Sequence, residues 1–589
     1  MFKSIAVCSE QTLPAYSSEE HNKFRRQMTL KRKRVLAAFL AAALAASCFA
    51  GCKGGEPSSS AAAKPGSAAS SATSSGVSSN GEEGPVSKTG FPVMQEEHTF
   101  KIVHSISTGD LVGNWEDKDY TRKIEEDTGL KIEWVGIPQN SYNDQVGIQL
   151  AANDMPDVFW NGVPSFSQFV GNFTALDEYL ADYSPTVVKF FQEYPSIKAA
   201  SVFPDGALYG LPQVQMNNTR ATGVYFINKN WLGNVGMQAP NTLDELYEVL
   251  KAFKEQDANG NGDPSDEIPF SFGKKETLTG LLAPFGIYGN GSPDNIDTPY
   301  LNVKDGKVTF YPIEDSYYQF LQYMNKLYRE GLIDPNSFVQ EEVDIQAKGK
   351  EGKVGTLWVG SYIDIMVGDR GDEYEFFLPL ENAEGKRTYV PNKFSGDVNP
   401  NRFIVTKNCE YPAAMVRLYD YLNSSFENKL LFDWGPEGES WEKTEDGKIL
   451  RLNADLPEGF SSYAEVRHTL SMGVLGPILW DDADQAEFAI TNDRDVEYYA
   501  RRDPLMEYAI DDKDQIPVGQ DTVENSQEAA VLITEIRTYM DNFQSEAIMK
   551  GIDDAKWQKH LEDVQKYDIT RYVEIKQAFY DRMMELLGG

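Results

Sequence analysis

The chain has 589 residues, of which 41% are hydrophobic and 12% are aromatic, so it can build two or more domains with separate cores. Its formal net charge is −35, which argues against nucleic acid and anionic membrane surfaces as partners, because like charges repel. The sequence lacks HExxH, CxxC, GxxxxGKS/T and GxSxG motifs, so zinc protease, P-loop and serine hydrolase functions have no support.

The amino-terminal region predicts export. A basic stretch at residues 31–34 precedes an apolar run, 35–49, that is shorter than the roughly 20 residues needed to span a bilayer as a helix. This order predicts a signal peptide over residues 1–51. The run ends in the tetrapeptide FAGC, which resembles a bacterial lipobox, so Cys52 is the predicted lipidation site. We expect translation to start at Met28, which places the basic stretch near the amino terminus.

Residues 52–90 predict a flexible tether. They are mostly Ser, Ala, Gly and Pro, and such a segment cannot bury enough apolar surface to fold. A flexible chain of about 40 residues spans roughly 35 Å end to end, enough to hold a domain clear of the lipid. The expected location is the extracellular face of the cell membrane, with the lipid anchor as the only membrane contact. Only Cys409 follows Cys52, so no disulfide framework is expected.

The body of the chain, from about residue 91, predicts an α/β fold. Strand-like segments alternate with amphipathic helical segments, which indicates βαβ units and a mostly parallel sheet. Gly129 is placed to end one helix, and Thr242 with Glu245 forms a capping box at the start of another. The part after Ser526 is predicted to be helical. The predicted strands include 99–106, 130–137, 157–162, 352–362 and 400–408, and the predicted helices include 119–128, 142–153, 241–254 and 412–423.

The segment DANGNGDPSDE, residues 257–267, predicts a calcium-binding loop. Oxygen-bearing side chains stand at positions 1, 3 and 5 and Gly262 at position 6, as in the opening of an EF-hand loop. Position 12 is Ile268 rather than glutamate, so an acidic residue earlier in the loop must complete the coordination shell of the ion. Bound Ca²⁺ would have a structural role; the alternative is an Asn/Gly turn without an ion. The predicted ligands are Asp257, Asn259, Asn261, Asp263, Asp266 and Glu267.

Five segments of the body carry a family resemblance. They are YTRKIEEDTGLKIEW (120–134), NDMPDVFW (153–160), GALYGLP (206–212), YFINKNWLGNVGMQAPNTLDELYEVLKAFKEQDANGNG (225–262) and WGPEGESWE (434–442). In this order they resemble the family of extracellular solute-binding proteins that includes maltose-binding protein, and most closely its large lipoprotein branch from Gram-positive bacteria. The resemblance covers roughly residues 95–589.

This resemblance implies a two-lobed, periplasmic-binding-protein-like fold of class II, with crossover hinge segments between the lobes and a helical carboxyl-terminal part. Lobe 1 is expected at 95–220 plus 390–435, and lobe 2 at 221–389 plus 436–589. The implied function is capture of a carbohydrate, expected to be an oligosaccharide, for an ABC importer. The lobes would close around the ligand without any chemistry on it, so no enzymatic activity is expected. The expected partners are the ligand and the permease subunits, and the protein is expected to be a monomer.

The predicted ligand-binding residues follow from the chemistry of sugars. Aromatic rings match the apolar faces of sugar rings, and charged or amide side chains match the hydroxyl groups. Trp134 and Trp231 are expected to be structural, because they stand within a strand and an amphipathic helix. The candidates at strand ends, loops and a crossover are Trp115, Trp160, Trp358, Asp397, Arg402, Trp434 and Trp441.

Three alternatives stay open at this point. The same fold could bind a peptide or another solute. A secreted glycoside hydrolase needs two opposed carboxylates, and a chain with 90 acidic residues can always supply such a pair. A surface protein used for adhesion or sensing would need no transporter.

Overall fold

The computed structural model describes residues 84–215, 224–273, 278–289, 299–359, 363–391, 398–452, 459–460, 463–488 and 504–588. The predictions of a signal peptide over residues 1–51, of lipidation at Cys52 and of a ligand contact at Asp397 lie outside the described residues. Among the described residues, no helix combines the length and the apolar character needed to cross a membrane.

Strands and helices are numbered in chain order. The strands are β1 Thr99–Ile106, β2 Lys131–Pro138, β3 Val158–Phe159, β4 Leu211–Val214, β5 Val224–Asn228, β6 Ile268–Ser271, β7 Leu301–Lys304, β8 Lys307–Phe310, β9 Val354–Val359, β10 Tyr374–Phe376, β11 Val398–Val405, β12 Trp441–Lys443 and β13 Ile449–Arg451. The helices are α1 Asp119–Thr128, α2 Tyr142–Ala152, α3 Phe166–Phe169, α4 Asp177–Tyr183, α5 Pro185–Glu193, α6 Pro195–Ser201, α7 Lys229–Val235, α8 Leu243–Glu255, α9 Thr279–Leu282, α10 Asp315–Arg329, α11 Glu342–Lys350, α12 Ile363–Val367, α13 Pro412–Asn423, α14 Phe426–Trp434, α15 Tyr463–Leu470, α16 Asp482–Ala486, α17 Val523–Lys550, α18 Asp554–Val564 and α19 Ile569–Leu586.

The first main sheet has the strand order β2-β1-β3-β11-β4. The strands β1, β2 and β3 are parallel, with Ile102 of β1 opposite Trp134 in β2 and Val158 in β3. Strand β11 is antiparallel to both β3 and β4, so β4 runs in the same direction as β3. The carboxyl ends of β1, β3 and β4 therefore lie along one edge of the sheet.

The core of the first lobe includes more of the chain than predicted. Trp441 and Trp480 pack in one hydrophobic cluster with residues of β1 and β3. The backbone near Trp480 also bonds to the sheet, because Val214 N donates to Ile478 O at 2.9 Å and Trp480 N donates to Val214 O at 3.0 Å. The described residues of 436–488, which the sequence analysis assigned to lobe 2, pack with the first sheet, and that part of the predicted division is corrected.

The folded part also begins earlier than predicted. Val86 and Met94 are buried and form an isolated β-bridge. Val93 N donates to Thr128 O at the end of α1 at 2.8 Å, which attaches this segment to the first lobe. The tether prediction, which extended to residue 90, is therefore too long at its carboxyl end.

The second main sheet has the strand order β10-β5-β9-β6. Strands β6 and β9 are parallel, and β5 is antiparallel to β9 with Val224 opposite Val359. The helices α10, α17 and α19 contribute Phe320, Met540 and Phe579 to one hydrophobic cluster that also contains residues of β5 and β6. The predicted helical carboxyl-terminal part therefore completes the core of the second lobe.

The chain crosses between the two sheets more than once. Strand β4 of the first sheet ends at Val214, and β5 of the second sheet begins at Val224. The return passes from β10, which ends at Phe376, to β11, which begins at Val398. The described residues from 504 onward belong to the second lobe again, since Leu505 packs in one cluster with Val224 and Val359. These crossings leave each lobe discontinuous in sequence.

Candidate functional site

The edge where strands of the first sheet end faces the crossover to the second sheet. Val214 ends β4 at this edge, and ten residues later Val224 lies beside Val359, the last residue of β9. The carboxyl ends of the parallel strands in both sheets therefore point toward the same connection. In open α/β sheets this edge is where ligands bind.

One loop lies across the edge of the first sheet. Residues 471–476, called the edge loop below, accept hydrogen bonds from side chains at the ends of β3 and β4 and from one side chain within β11. Asn161 Nδ2 donates to Leu475 O at 2.7 Å, and Gln213 Nε2 donates to Val474 O at 2.8 Å and to Gly476 O at 2.5 Å. Arg402 donates to Val474 O at 3.0 Å. These contacts place the edge loop across the edge of the first sheet at which β3 and β4 end.

A buried ion pair holds the neighbouring loop, residues 107–118. Lys118 Nζ lies 2.6 Å from Asp110 Oδ2, and the two side chains are 2% and 1% exposed. Lys118 also donates to His468 O and Thr469 O at 3.2 and 3.0 Å. Burial lowers the pKa of Lys118, while the contact with Asp110 opposes that effect. The pair fixes this loop against the end of α15, next to the edge loop.

Trp115 and Trp160, predicted to contact ligand, lie in the core. Trp115 is 1% exposed and stacks on the ring of His104 at 3.8 Å between centroids. Trp160 is 0% exposed and contacts Trp115 and Phe403 edge to face. Because neither ring has a free face, they pack as structural residues here, which corrects their predicted place at the surface of the cleft.

Trp434 and Trp441 are also buried. The guanidinium of Arg467 lies 4.0 Å from the centre of the Trp434 ring and covers it. Trp441 Nε1 donates to Gly435 O at 2.8 Å, which fixes the indole within the first lobe. Both residues belong to the same hydrophobic cluster as Trp115 and Trp160. Their predicted role in ligand contact is corrected on the same ground, because a buried indole face cannot stack on a sugar.

Trp358 and Arg402 keep partly exposed side chains. Trp358 is opposite Tyr225 in β5 and stands one residue before the end of β9, at the edge that faces the crossover. Desolvation lowers the pKa of Arg402 to about 10, so the group remains cationic at neutral pH. Within the described parts of the chain no carboxylate pairs with this guanidinium, so it can still donate to a ligand.

Asn161, Gln213 and the edge loop were missed by sequence reasoning. Gln213 is separated from its acceptor Gly476 by 263 positions, and Asn161 from Leu475 by 314. No local pattern predicts such contacts. The one available signal was the loop-forming composition of SMGVLGP, residues 471–477.

The predicted calcium loop folds as a tight turn on the second lobe. Gly262 N donates to Asp257 Oδ2 at 2.9 Å, and Asn234 Nδ2 donates to Ala258 O at 2.8 Å, tying the loop to α7. Gly260 and Gly262 have φ of 72° and 90°, a backbone region that glycine adopts without strain. The EF-hand-like spacing therefore predicts the turn correctly.

The oxygen atoms of this loop test whether a cation fits. Asp257 Oδ1 and Glu267 Oε2 are buried, and no described group donates to either of them. Burial and the nearby Asp266 and Asp257 raise the pKa of Glu267. Asp266 accepts the amide of Asn259 at 2.8 Å. No three Asp, Glu, His or Cys side chains of the described chain form a metal cluster by themselves, so an ion here would also need amide or backbone oxygens.

Comparisons with known proteins agree with this architecture. The model of the family "Bacterial extracellular solute-binding protein" matches residues 116–425. The fructooligosaccharide ABC transporter substrate-binding protein FusA of Streptococcus pneumoniae serotype 4 is 26% identical over 513 residues, covering 84% of this chain and 91% of FusA. Lipoprotein LipO of Bacillus subtilis strain 168 is 29% identical over 351 residues, covering 56% of this chain and 65% of LipO.

Solved structures match at the level of fold. FusA in complex with kestose superposes with a TM-score of 0.69 at 24% identity, covering 83% of this chain and 100% of that one. A FusA EF-hand mutant in complex with fructo-nystose matches with the same values. The predicted two-lobed α/β fold is confirmed.

Proposed function

Because the chain belongs to the bacterial extracellular solute-binding protein family, we propose that it captures an oligosaccharide between its lobes for an ABC importer. The observation that carries the proposal is that the strand ends of both sheets meet at the crossover from Val214 to Val224. FusA, which aligns with 84% of the chain, is named for fructooligosaccharides. A fructooligosaccharide is therefore the first ligand to test.

The two lobes act as rigid halves that close on the sugar. We assign the described residues of 84–215 and 398–488 to lobe 1, and those of 224–391 and 504–588 to lobe 2. Trp358, which is half-buried near the end of β9, is the proposed aromatic contact from lobe 2, and the guanidinium of Arg402 is the proposed donor from lobe 1. Asp397, close to Arg402 in sequence, is a third proposed contact. The sugar leaves unchanged, and the closed complex of one protein molecule and one sugar is what the permease subunits recognise.

Isothermal titration calorimetry tests this proposal with kestose, maltotriose and a pentapeptide as probes. We expect heat from at least one sugar and none from the peptide, with the sugar recovered intact by chromatography. Trp358→Ala should weaken sugar binding about tenfold through loss of stacking, while Trp358→Phe retains part of it. Arg402→Met should weaken binding, whereas the exposed control Arg122→Met should not.

Three results would contradict the proposal. Appearance of smaller sugar products would make the chain a hydrolase. Heat from the peptide alone would assign another solute class. Equal affinities for wild type, Trp358→Ala and Arg402→Met would place the sugar elsewhere on the protein.

We also propose that the loop 257–267 binds a structural Ca²⁺. The buried oxygens of Asp257 and Glu267 that no described donor reaches are suited to a cation, and burying them without one is costly. The amide groups of Asn259 and Asn261 now donate to Asp266, and they would turn their oxygen atoms toward the ion. Asp263 completes the proposed set of ligands. The existence of a FusA structure described as an EF-hand mutant supports a loop of this kind among relatives.

Calorimetry of the chelated protein with CaCl₂ tests this site. We expect binding heat, and a gain of roughly 3 kcal/mol in stability when free Ca²⁺ is 100-fold above its Kd. Glu267→Gln should abolish both, whereas Asp446→Asn, in an exposed Asp-Gly turn, should change neither. Absence of heat together with an unchanged melting temperature in the wild type would refute the site.

Lipid anchoring at Cys52 is proposed on the FAGC motif and on the lipoprotein relative LipO. The anchor and the tether keep the protein on the extracellular face, near its permease. Cys52→Ala should release the protein from the membrane fraction of a Gram-positive host, and Cys48→Ala is the matched control. Retention of the Cys52→Ala protein in that fraction would contradict the proposal.

A further inference from the structure

The edge loop, residues 471–476, is fixed from both sides. On its entry side, Ser471 Oγ donates to Asp433 O at 2.9 Å and Met472 N donates to Phe432 O at 2.9 Å, at the end of α14. On its exit side, Val214 N donates to Ile478 O at 2.9 Å, which joins the chain to β4. Between these points the carbonyl groups accept from Asn161, Gln213 and Arg402, as described above. A loop held this way is preorganised before any ligand arrives.

Two of the anchoring side chains, Asn161 and Gln213, use their amide groups for hydrogen bonds within the protein. Gln213 is buried, and its Nε2 group donates to two carbonyl oxygens of the edge loop. Asn161 accepts from Ser105 N at 2.6 Å while it donates to Leu475 O. These two side chains therefore join the ends of β1, β3 and β4 to the loop.

The surface of the edge loop is aliphatic. Met472 and Leu475 are buried, but Val474 is 37% exposed. On the adjoining loop, Leu111 and Val112 are 55% and 51% exposed, and Leu111 N donates to Thr469 Oγ1 at 3.0 Å. A small apolar surface among backbone polar groups matches the face of a sugar ring bordered by hydroxyl groups.

Gly473 lets the edge loop pack closely against the side chain of His468. A Cβ atom there would lie 2.7 Å from Nδ1 of the His468 ring, and the residue has φ of 56°. A side chain at this position would meet the half-buried ring of His468 and would need a strained backbone. Val474 is therefore the side chain that the middle of the loop offers.

We infer that the edge loop is the ligand platform of the first lobe, with Val474 as a specificity-determining contact and Asn161 and Gln213 as positioning residues. The inference rests on the proposed function. It assigns an aliphatic platform to lobe 1, while Trp358 supplies the aromatic face from lobe 2. The tryptophans of lobe 1 act beneath the platform as its support.

Two variants test the platform, with kestose as the probe, or with whichever sugar of the panel binds the wild type. Val474→Asp should weaken binding at least tenfold, because it places a charge against the apolar face of the sugar. Val531→Asp, at an exposed valine of α17, is the matched control and should bind as the wild type does. Gln213→Met removes both donors with little change in volume, and should weaken binding several-fold.

Hydrogen exchange separates positioning from general destabilisation. In the wild type, sugar should slow exchange at the amides of residues 473–476, because the ligand covers them. In Gln213→Met these amides should exchange faster without sugar, while amides in β1 and β9 keep their protection. If Gln213 acts through the edge loop, the double variant Val474→Asp/Gln213→Met should bind the sugar no more weakly than Val474→Asp alone.

The outcomes distinguish the inference from the function on which it rests. If the wild type binds no sugar of the panel, the proposed function fails, and the platform fails with it. If the wild type binds sugar but Val474→Asp and Gln213→Met bind it equally well, the platform alone is overturned. Sugar protection confined to the second lobe would overturn it in the same way.

Discussion

Replacing Lys118 by methionine is expected to destabilise the first lobe by about 3–5 kcal/mol, because it leaves a buried carboxylate without its cation. The ammonium lies 2.6 Å from Asp110, with both side chains almost fully buried. It also donates to His468 O and Thr469 O, which would lose a charged donor. The exposed pair Lys131–Glu97, at 56% and 87% exposure, carries no such cost, because water replaces the lost partner.

Urea denaturation followed by circular dichroism measures this difference. Lys118→Met should unfold at a clearly lower urea concentration, and the control Lys131→Met should superimpose on the wild type. Adding Asp110→Asn to Lys118→Met removes the buried charge but keeps the oxygen that accepts from Val112 N and Gly113 N, so it should recover at least about 1 kcal/mol. If Lys118→Met has the same midpoint as Lys131→Met, the reasoning from burial is refuted.

Two further predictions concern the core beneath the edge loop. Burial lowers the pKa of His104 to about 3, so the unfolded chain binds a proton that the folded chain rejects, and stability should fall as pH drops from about 6.5 toward 3. His104→Phe keeps a ring against Trp115. Between pH 7 and pH 4 its free energy of unfolding should fall by roughly 3 kcal/mol less than that of the wild type. Equal decreases in the two proteins would contradict this. Trp160→Ala should cost about 3–5 kcal/mol in urea denaturation at pH 7 by leaving a cavity; full stability with lost sugar binding would instead restore Trp160 to the ligand site.

Features that depend on neighbouring residues in the chain could be predicted from the sequence. Strand β1 at 99–106 and helix α1 at 119–128 have the predicted bounds, because side-chain periodicity and the glycine at 129 act locally. The turn at 257–267 is also local, since its hydrogen bonds join residues of one short segment.

Features that depend on distant contacts could not be predicted. The strand expected at 157–162 is only two residues long, because the chain turns at Gly162 where β11 passes close by. Tryptophans at loops and strand ends suggested sugar stacking, but the exposure of Trp115 is decided by His104 and Trp160 packing around it. The error in the lobe assignment of the described residues of 436–488 has the same origin, since hydrogen bonds to β4 decide it.

Small-angle X-ray scattering with and without saturating kestose, or another sugar that binds, tests most directly whether the two lobes close on a carbohydrate. The account predicts a smaller radius of gyration in the presence of sugar, because a ligand that contacts both lobes stabilises the closed form. Unchanged scattering at a sugar concentration that calorimetry shows to be saturating would contradict it, because the sugar would then bind without joining the lobes.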